Sequence, residues 1–112
     1  MKPFQCVQSV ANAYGMPTNV LLGRSRVSHV SEARQVVMFI LVRRRGMSAS
    51  GVGRFLKRNH GSVLHGLKTV AGWLEVDAQF RARYLAAVRE SEEDAATHVR
   101  GFKSEIAGGI IK

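Results

Sequence analysis

The sequence has little of what staples, bridges or anchors a chain. One cysteine, Cys6, in 112 residues excludes an internal disulfide and a cysteine-rich zinc site. It points to a reduced, intracellular compartment. The longest unbroken apolar run, residues 36–42, is far too short to cross a bilayer. Gln5 and Gln8 interrupt any signal-peptide core behind Lys2. No phosphate loop of the Gly-x-x-x-x-Gly-Lys type occurs, so no nucleotide hydrolysis is expected. No Ser, His and Asp set has the spacing of a hydrolytic triad, and an enzyme is not expected. Hydrophobic residues make up 46% and charged residues 22%, which excludes disorder over most of the chain.

Acidic residues are scarce in one part only. Residues 1–74 hold eleven Lys and Arg and a single acid, Glu32, for a net +10. Residues 75–112 hold six bases and seven acids, for a net −1. A basic domain with a near-neutral tail points to a polyanionic partner. Nucleic acid is the first candidate and an anionic membrane surface the second. The plainer alternative is surplus charge that serves solubility.

Apolar spacing organises the rest. Phe4, Val7, Val10, Ala11 and Tyr14 predict a first helix, entered near Pro3 and ended at Gly15. A short turn or helical piece runs through Val20, Leu21 and Leu22, and a basic connector follows from Gly23 to His29. Ser31 is expected to cap a central buried helix over residues 33–42, closed by Arg43, Arg44, Arg45 and Gly46. Ser48 caps a short helix through Lys57, and Asn59 caps the next. In that helix Val63, Leu64, Leu67, Val70, Ala71 and Leu74 fall on one arc, with Gly61, His65, Lys68, Thr69 and Gly72 opposite. Phe80, Tyr84, Leu85 and Val88 predict a further helix after Asp77. The expected class is all-α, a compact helical bundle of five or six helices. Residues 1–90 form the domain. Residues 91–112 form a polar tail, partly helical or disordered, that frays near Gly108 and Gly109.

The two helices between Ser48 and Leu74 are joined by a few residues around Arg58, which is the plan of a helix-turn-helix. A helix N-terminus suits phosphate, and side chains of its first turns can reach base edges in the major groove. Here these are His60, Ser62 and His65, with Lys68 one turn on. An ordinary helical hairpin fits the pattern equally well. His60 also lies toward the apolar arc, where it would pack at the core edge instead of reaching bases.

The residues weigh in favour of the first reading. The segment Val52-Gly53-Arg54-Phe55-Leu56-Lys57-Arg58-Asn59-His60-Gly61-Ser62-Val63-Leu64-His65 resembles the signature of the C-terminal DNA-binding domain of the bacterial replication initiator family DnaA. Upstream, Val10-Ala11-Asn12-Ala13-Tyr14-Gly15-Met16 is similar to that family's lead-in helix. Leu21-Leu22-Gly23-Arg24-Ser25-Arg26 is similar to its basic loop, and Ala33-Arg34-Gln35 to the start of its next helix. The likeness covers roughly residues 5–90. It implies a bundle around a helix-turn-helix, with Arg26 in the minor groove and Asn59, His60, Ser62 and His65 at base edges. It further implies Arg24, Arg34, Gln35, Arg43, Lys57, Arg58, Gly61 and Lys68 near phosphates. The sequence also departs from the family. Asn59 stands for an aspartate, Gly61 for a threonine, and one residue fewer precedes Arg58.

The resemblance implies double-stranded DNA as partner, with a full-length replication initiator or another regulator beside it. It implies control of replication or transcription by site occupancy, in the cytoplasm and on the nucleoid. The chain looks like the DNA-binding part alone, either as a small stand-alone protein or as part of a longer one. A protein-interaction module with loose RNA contact is the alternative from another class. His60 and His65 are five apart and do not share a helical face. No metal and no cofactor are expected. Cys6 reads as a small buried hydrophobe, and Trp73 as partly buried.

Overall fold

A computed structural model describes the backbone of residues 3–100 and the side chains of residues 3–91. The helices are α1 (Pro3–Tyr14), α2 (Thr18–Leu22), α3 (Ser28–Phe39), α4 (Ala49–Leu56), α5 (His60–Val76) and α6 (Ala78–Arg100), with a π-helical turn at Ile40–Arg44. No strand interrupts them among the described residues. The class is all-α, as the periodicity predicts. The expected tail is helical as far as Arg100, and its remainder, with Gly108 and Gly109, lies outside the described residues. Among the described residues no helix is long and apolar enough to cross a membrane.

The central apolar run does what its length allows. Val36, Val37, Met38, Ile40 and Leu41 are all buried. Neighbouring apolar residues this dense cannot all face inward from a regular helix. The π-helical turn, in which the Arg45 amide reaches the Ile40 carbonyl at 3.0 Å, keeps both Ile40 and Leu41 inside. Gly46 then takes φ +77° and turns the chain toward α4. The arginine-rich end of the expected helix is thus partly unwound. Its Arg45 bonds to the Ser91 carbonyl at 3.1 Å and to the Ser91 hydroxyl, and so fixes α6.

One expected boundary is wrong by a turn. Ser31 does not cap α3, because its amide already bonds to the Val27 carbonyl at 2.9 Å and sits inside the first turn. The earlier start follows from His29, whose Nε2 donates to the Tyr14 carbonyl at 2.9 Å while its ring lies 5.3 Å from that of Tyr14. Capping is otherwise as read. The Ser48 hydroxyl accepts from the Gly51 amide at 2.9 Å, and Asn59 Oδ1 accepts from the Ser62 amide at 2.7 Å. Asp77 Oδ1 accepts from the Phe80 amide at 2.9 Å and opens α6.

α1 packs along α6, and α3 lies across α5. Trp73, Phe80, Tyr84 and Phe39 form a chain of ring contacts that holds the α5–α6 hairpin to the core. Trp73 is partly buried and Cys6 fully so. Burial pushes the Cys6 thiol up to about 12, which leaves it an unreactive core residue.

Glu32 joins three helices. It accepts from the Tyr14 hydroxyl at 2.5 Å and from Arg83 at 2.8 and 3.1 Å. Burial alone would raise its carboxyl, but the bonds from Arg83 and Tyr14 and the charges of Arg83 and His29 outweigh burial and hold it below the usual value. Burial and the bond to Glu32 push the Tyr14 hydroxyl upward.

Two predictions follow from this packing. A Cβ on Gly53 would lie 2.7 Å from the Arg58 carbonyl oxygen, which is backbone. Gly53→Ala is expected to destabilise by about 1–3 kcal/mol. A Cβ on Gly66 would meet Met38 Sδ at 2.8 Å, and that side chain can move. Gly66→Ala also gains about 1 kcal/mol of helix propensity, so its midpoint in urea should stay near that of the unsubstituted protein. The second prediction concerns pH. A lowered carboxyl contributes stability above its unfolded value, and this is lost as pH falls through the folded value. Glu32→Gln should therefore weaken the fold at neutral pH, and its difference from the unsubstituted protein should shrink below about pH 4. Urea titrations across that range measure both.

Candidate nucleic-acid interface

Residues 57–59 alone separate α4 from α5. Lys57 adopts φ 58° and ψ 45°, the left-handed region, where a residue with a Cβ is uncommon. The Arg58 amide then donates to the Gly53 carbonyl at 2.8 Å. One residue later Asn59 starts α5. The left-handed Lys57 thus closes the turn between the two helices.

α5 crosses α3 at Gly66, where the absent side chain admits Met38 and Gln35. Ser31, Arg34, Gln35 and Met38 share one face of α3 at i, i+3, i+4 and i+7. Together with Arg58, Asn59, Gly61, Ser62 and His65 they line a cleft of about 450 Å³. Of the residues singled out in the sequence, the cleft gathers Arg34, Gln35, Arg58, Asn59, Gly61, Ser62 and His65. Arg24, Arg26, Arg43, Lys57, His60 and Lys68 are exposed outside its lining.

His60 does not pack at the core edge; it is exposed at the first position of α5. The apolar arc of α5 is narrower than expected. Val63, Leu67 and Val70 are buried, whereas Leu64 is 47% exposed and Ala71 is exposed. Gly66 takes a buried place instead, where Met38 and Gln35 of α3 pack against it. Leu85 of α6 is likewise exposed, at 53%.

Arg34 is the least expected member of the cleft. It is 8% exposed, and its guanidinium faces the basic loop. Nε donates to the Leu21 carbonyl at 3.0 Å, Nη1 to Ser25 at 3.3 Å and Nη2 to Gly23 at 2.8 Å. Arg58 Nη2 donates to the same Gly23 carbonyl at 2.8 Å. Burial, then the charge of Arg58, lowers the Arg34 guanidinium. Two cations therefore converge beside the N-terminus of α5. The single acid of residues 1–74, Glu32, bonds to Tyr14 and Arg83 and is absent from the cleft lining.

Gln35 Oε1 is buried and unpaired. Thr69 donates to the His65 carbonyl at 2.9 Å, and its hydroxyl lies 3.4 Å from His65 Nε2. Sequence reading passed over Ser31, Met38 and Gly66. The signal for the first two was their i, i+3, i+4, i+7 register with Arg34 and Gln35, obscured by reading Ser31 as a cap. Gly66 was the one small residue between Val63, Leu67 and Val70.

Comparison with known proteins gives one answer. Residues 5–70 match the family described as bacterial dnaA protein helix-turn-helix. The chromosomal replication initiator protein DnaA of Porphyromonas gingivalis is 34% identical over 80 residues, which is 70% of this chain and 17% of that protein. DnaA of Bacteroides thetaiotaomicron is 35% identical over 74 residues, 65% of this chain and 16% of that protein. DnaA of Deinococcus deserti is 30% identical over 76 residues, 68% of this chain and 17% of that protein. The chain thus spans about a sixth of the length of the curated relatives it matches. The family match takes in more than half of the 112 residues, and the chain belongs to the bacterial dnaA helix-turn-helix family.

Proposed function

We propose that this protein binds double-stranded DNA with a sequence preference, α5 entering the major groove by its N-terminal turns and the loop bearing Arg26 entering the adjacent minor groove. One observation carries the reading. Ser62 and His65 are exposed on the same cleft that holds Arg58, with no acid in its lining. Base-reading groups and phosphate-neutralising charge thus face one partner. Asn59, His60, Ser62 and His65 meet base edges. The Asn59 amide already accepts from the Ser62 amide, so its NH₂ is the group left for a base acceptor, where an aspartate could only accept. Arg24, Arg43, Lys57, Arg58 and Lys68 supply charge for phosphates, with the Gln35 amide and the Gly61 N–H beside them. Arg34 contributes charge from behind, since its fork is directed to the loop.

The role that fits is occupancy of sites that control replication or transcription, without nucleotide hydrolysis, on the nucleoid. A full-length replication initiator or another regulator would share or contest those sites. Asn59 and Gly61 set this chain's preference apart, because Gly61 lacks a methyl group to touch thymine.

Fluorescence anisotropy with a duplex carrying a replication-initiator box, and a scrambled duplex of equal composition, tests the reading over a salt series. The box should bind more tightly, and affinity for both should fall with salt as counterions are released. Ser62→Ala and His65→Ala should each reduce the discrimination by about 1–3 kcal/mol. Both residues are exposed, so thermal midpoints should hardly change. Equal affinity for both duplexes would refute sequence preference, and no binding at low salt would refute DNA binding.

A further inference from the structure

Residues 24–27 have no regular secondary structure, so no ladder of backbone hydrogen bonds holds them. Fixing one residue's backbone costs about 1–2 kcal/mol in conformational entropy. An exposed arginine on such a segment reads DNA well only if something orders the segment beforehand. The ordering group is visible. Arg34 bonds to the carbonyls of Leu21, Gly23 and Ser25, which brackets Arg24 and reaches the residue just before Arg26. The Ser25 hydroxyl accepts from the Val27 amide at 3.2 Å and closes the other side of Arg26. Arg58, in the turn of the helix-turn-helix, bonds to Gly23 as well.

We infer that Arg34 is a positioning residue: with Arg58 it locks the Arg26 loop to the helix-turn-helix turn, so that minor-groove and major-groove contacts are presented as one rigid unit. The inference rests on the reading above that Arg26 enters the minor groove. A planar guanidinium is suited to this task because its donors diverge in one plane toward separate acceptors. A lysine at position 34 keeps the charge but offers one tetrahedral nitrogen, which cannot span three carbonyls held by the guanidinium's three nitrogens. Arg34→Lys therefore separates positioning from charge.

The probe is a box duplex in which adenines at the minor-groove contact are replaced by 2,6-diaminopurine. This adds an amino group in the minor groove, as guanine does, and leaves the adenine pattern of the major groove in place. The readout is the affinity ratio between the plain and the substituted duplex for each variant, so a general loss of affinity cancels. The unsubstituted protein should show a penalty of about tenfold. Arg26→Ala should abolish it. Arg34→Lys should reduce it to about twofold or less. Amide hydrogen exchange of the free Arg34→Lys protein should be faster at residues 22–27, with the α1, α5 and α6 cores unchanged.

If Arg26→Ala abolishes the penalty and Arg34→Lys keeps it at full size, the positioning role is wrong and the DNA reading stands. If Arg26→Ala keeps the penalty, the minor-groove reading is wrong and the inference is wrong with it. Should Arg34→Lys fail to fold, Arg58→Lys at its half-buried site carries the test. A penalty reduced by about half supports the lock, and an undiminished one overturns it.

Discussion

At Gly53 the backbone of one helix lies against the backbone of the turn that follows it, with room for a hydrogen atom and not for a methyl group. The site depends on this close approach. It lets the Arg58 amide reach the Gly53 carbonyl, which forces Lys57 into the left-handed region and brings Asn59 into position to cap α5. The direction of α5 follows from that cap. At Gly66, α5 packs against Met38 and Gln35 of α3, side chains that can adjust. The backbone contact at Gly53 is the rigid one, and the start of α5 beside the cleft follows from it.

The electrostatics depend on the same geometry. Cations gathered on one surface repel one another unless something neutral orders them, and backbone carbonyls do so here. Arg34 and Arg58 point at a shared oxygen, which holds two like charges near each other through charge-assisted hydrogen bonds. An anion brought to that place would relieve the remaining repulsion. Meanwhile the one acid in residues 1–74 is tied up by Arg83 from α6 and by Tyr14 from α1. The near-neutral second part of the sequence therefore has a structural task. It supplies a counter-charge for Glu32 and, through Ser91, a partner for Arg45, and the cleft keeps its positive character.

The family match and the cleft overlap in the chain. Residues 5–70 hold every residue of the cleft lining, from Ser31 to His65. Gly61 and Asn59 sit at the start of α5, exposed and without packing duties beyond the cap. Val52, Gly53 and Val63, which hold the turn from inside, are buried.

Much of the fold was legible in the sequence. The helix caps at Ser48 and Asn59, the breaks at Gly15 and Gly46, the helix-turn-helix itself and the buried stripes of α1 and α6, save for Phe4 and Leu85, which are exposed, rest on local rules: hydrogen bonding of short polar side chains, glycine's access to positive φ, and the 3.6-residue period. Such rules act within a few residues and need no knowledge of distant contacts. The basic character of the first part was also plain, since charge is a property of composition. Tertiary contacts decided the rest. That α3 begins at Ser28 depends on Tyr14, fourteen residues earlier in the chain. That Gly66 is buried while Leu64 is exposed depends on where α3 crosses. That Arg34 faces a loop and not solvent depends on three carbonyls at Leu21, Gly23 and Ser25. A sequence states which donors and charges exist. Only packing determines which of them already have partners, and hence which remain to meet another molecule.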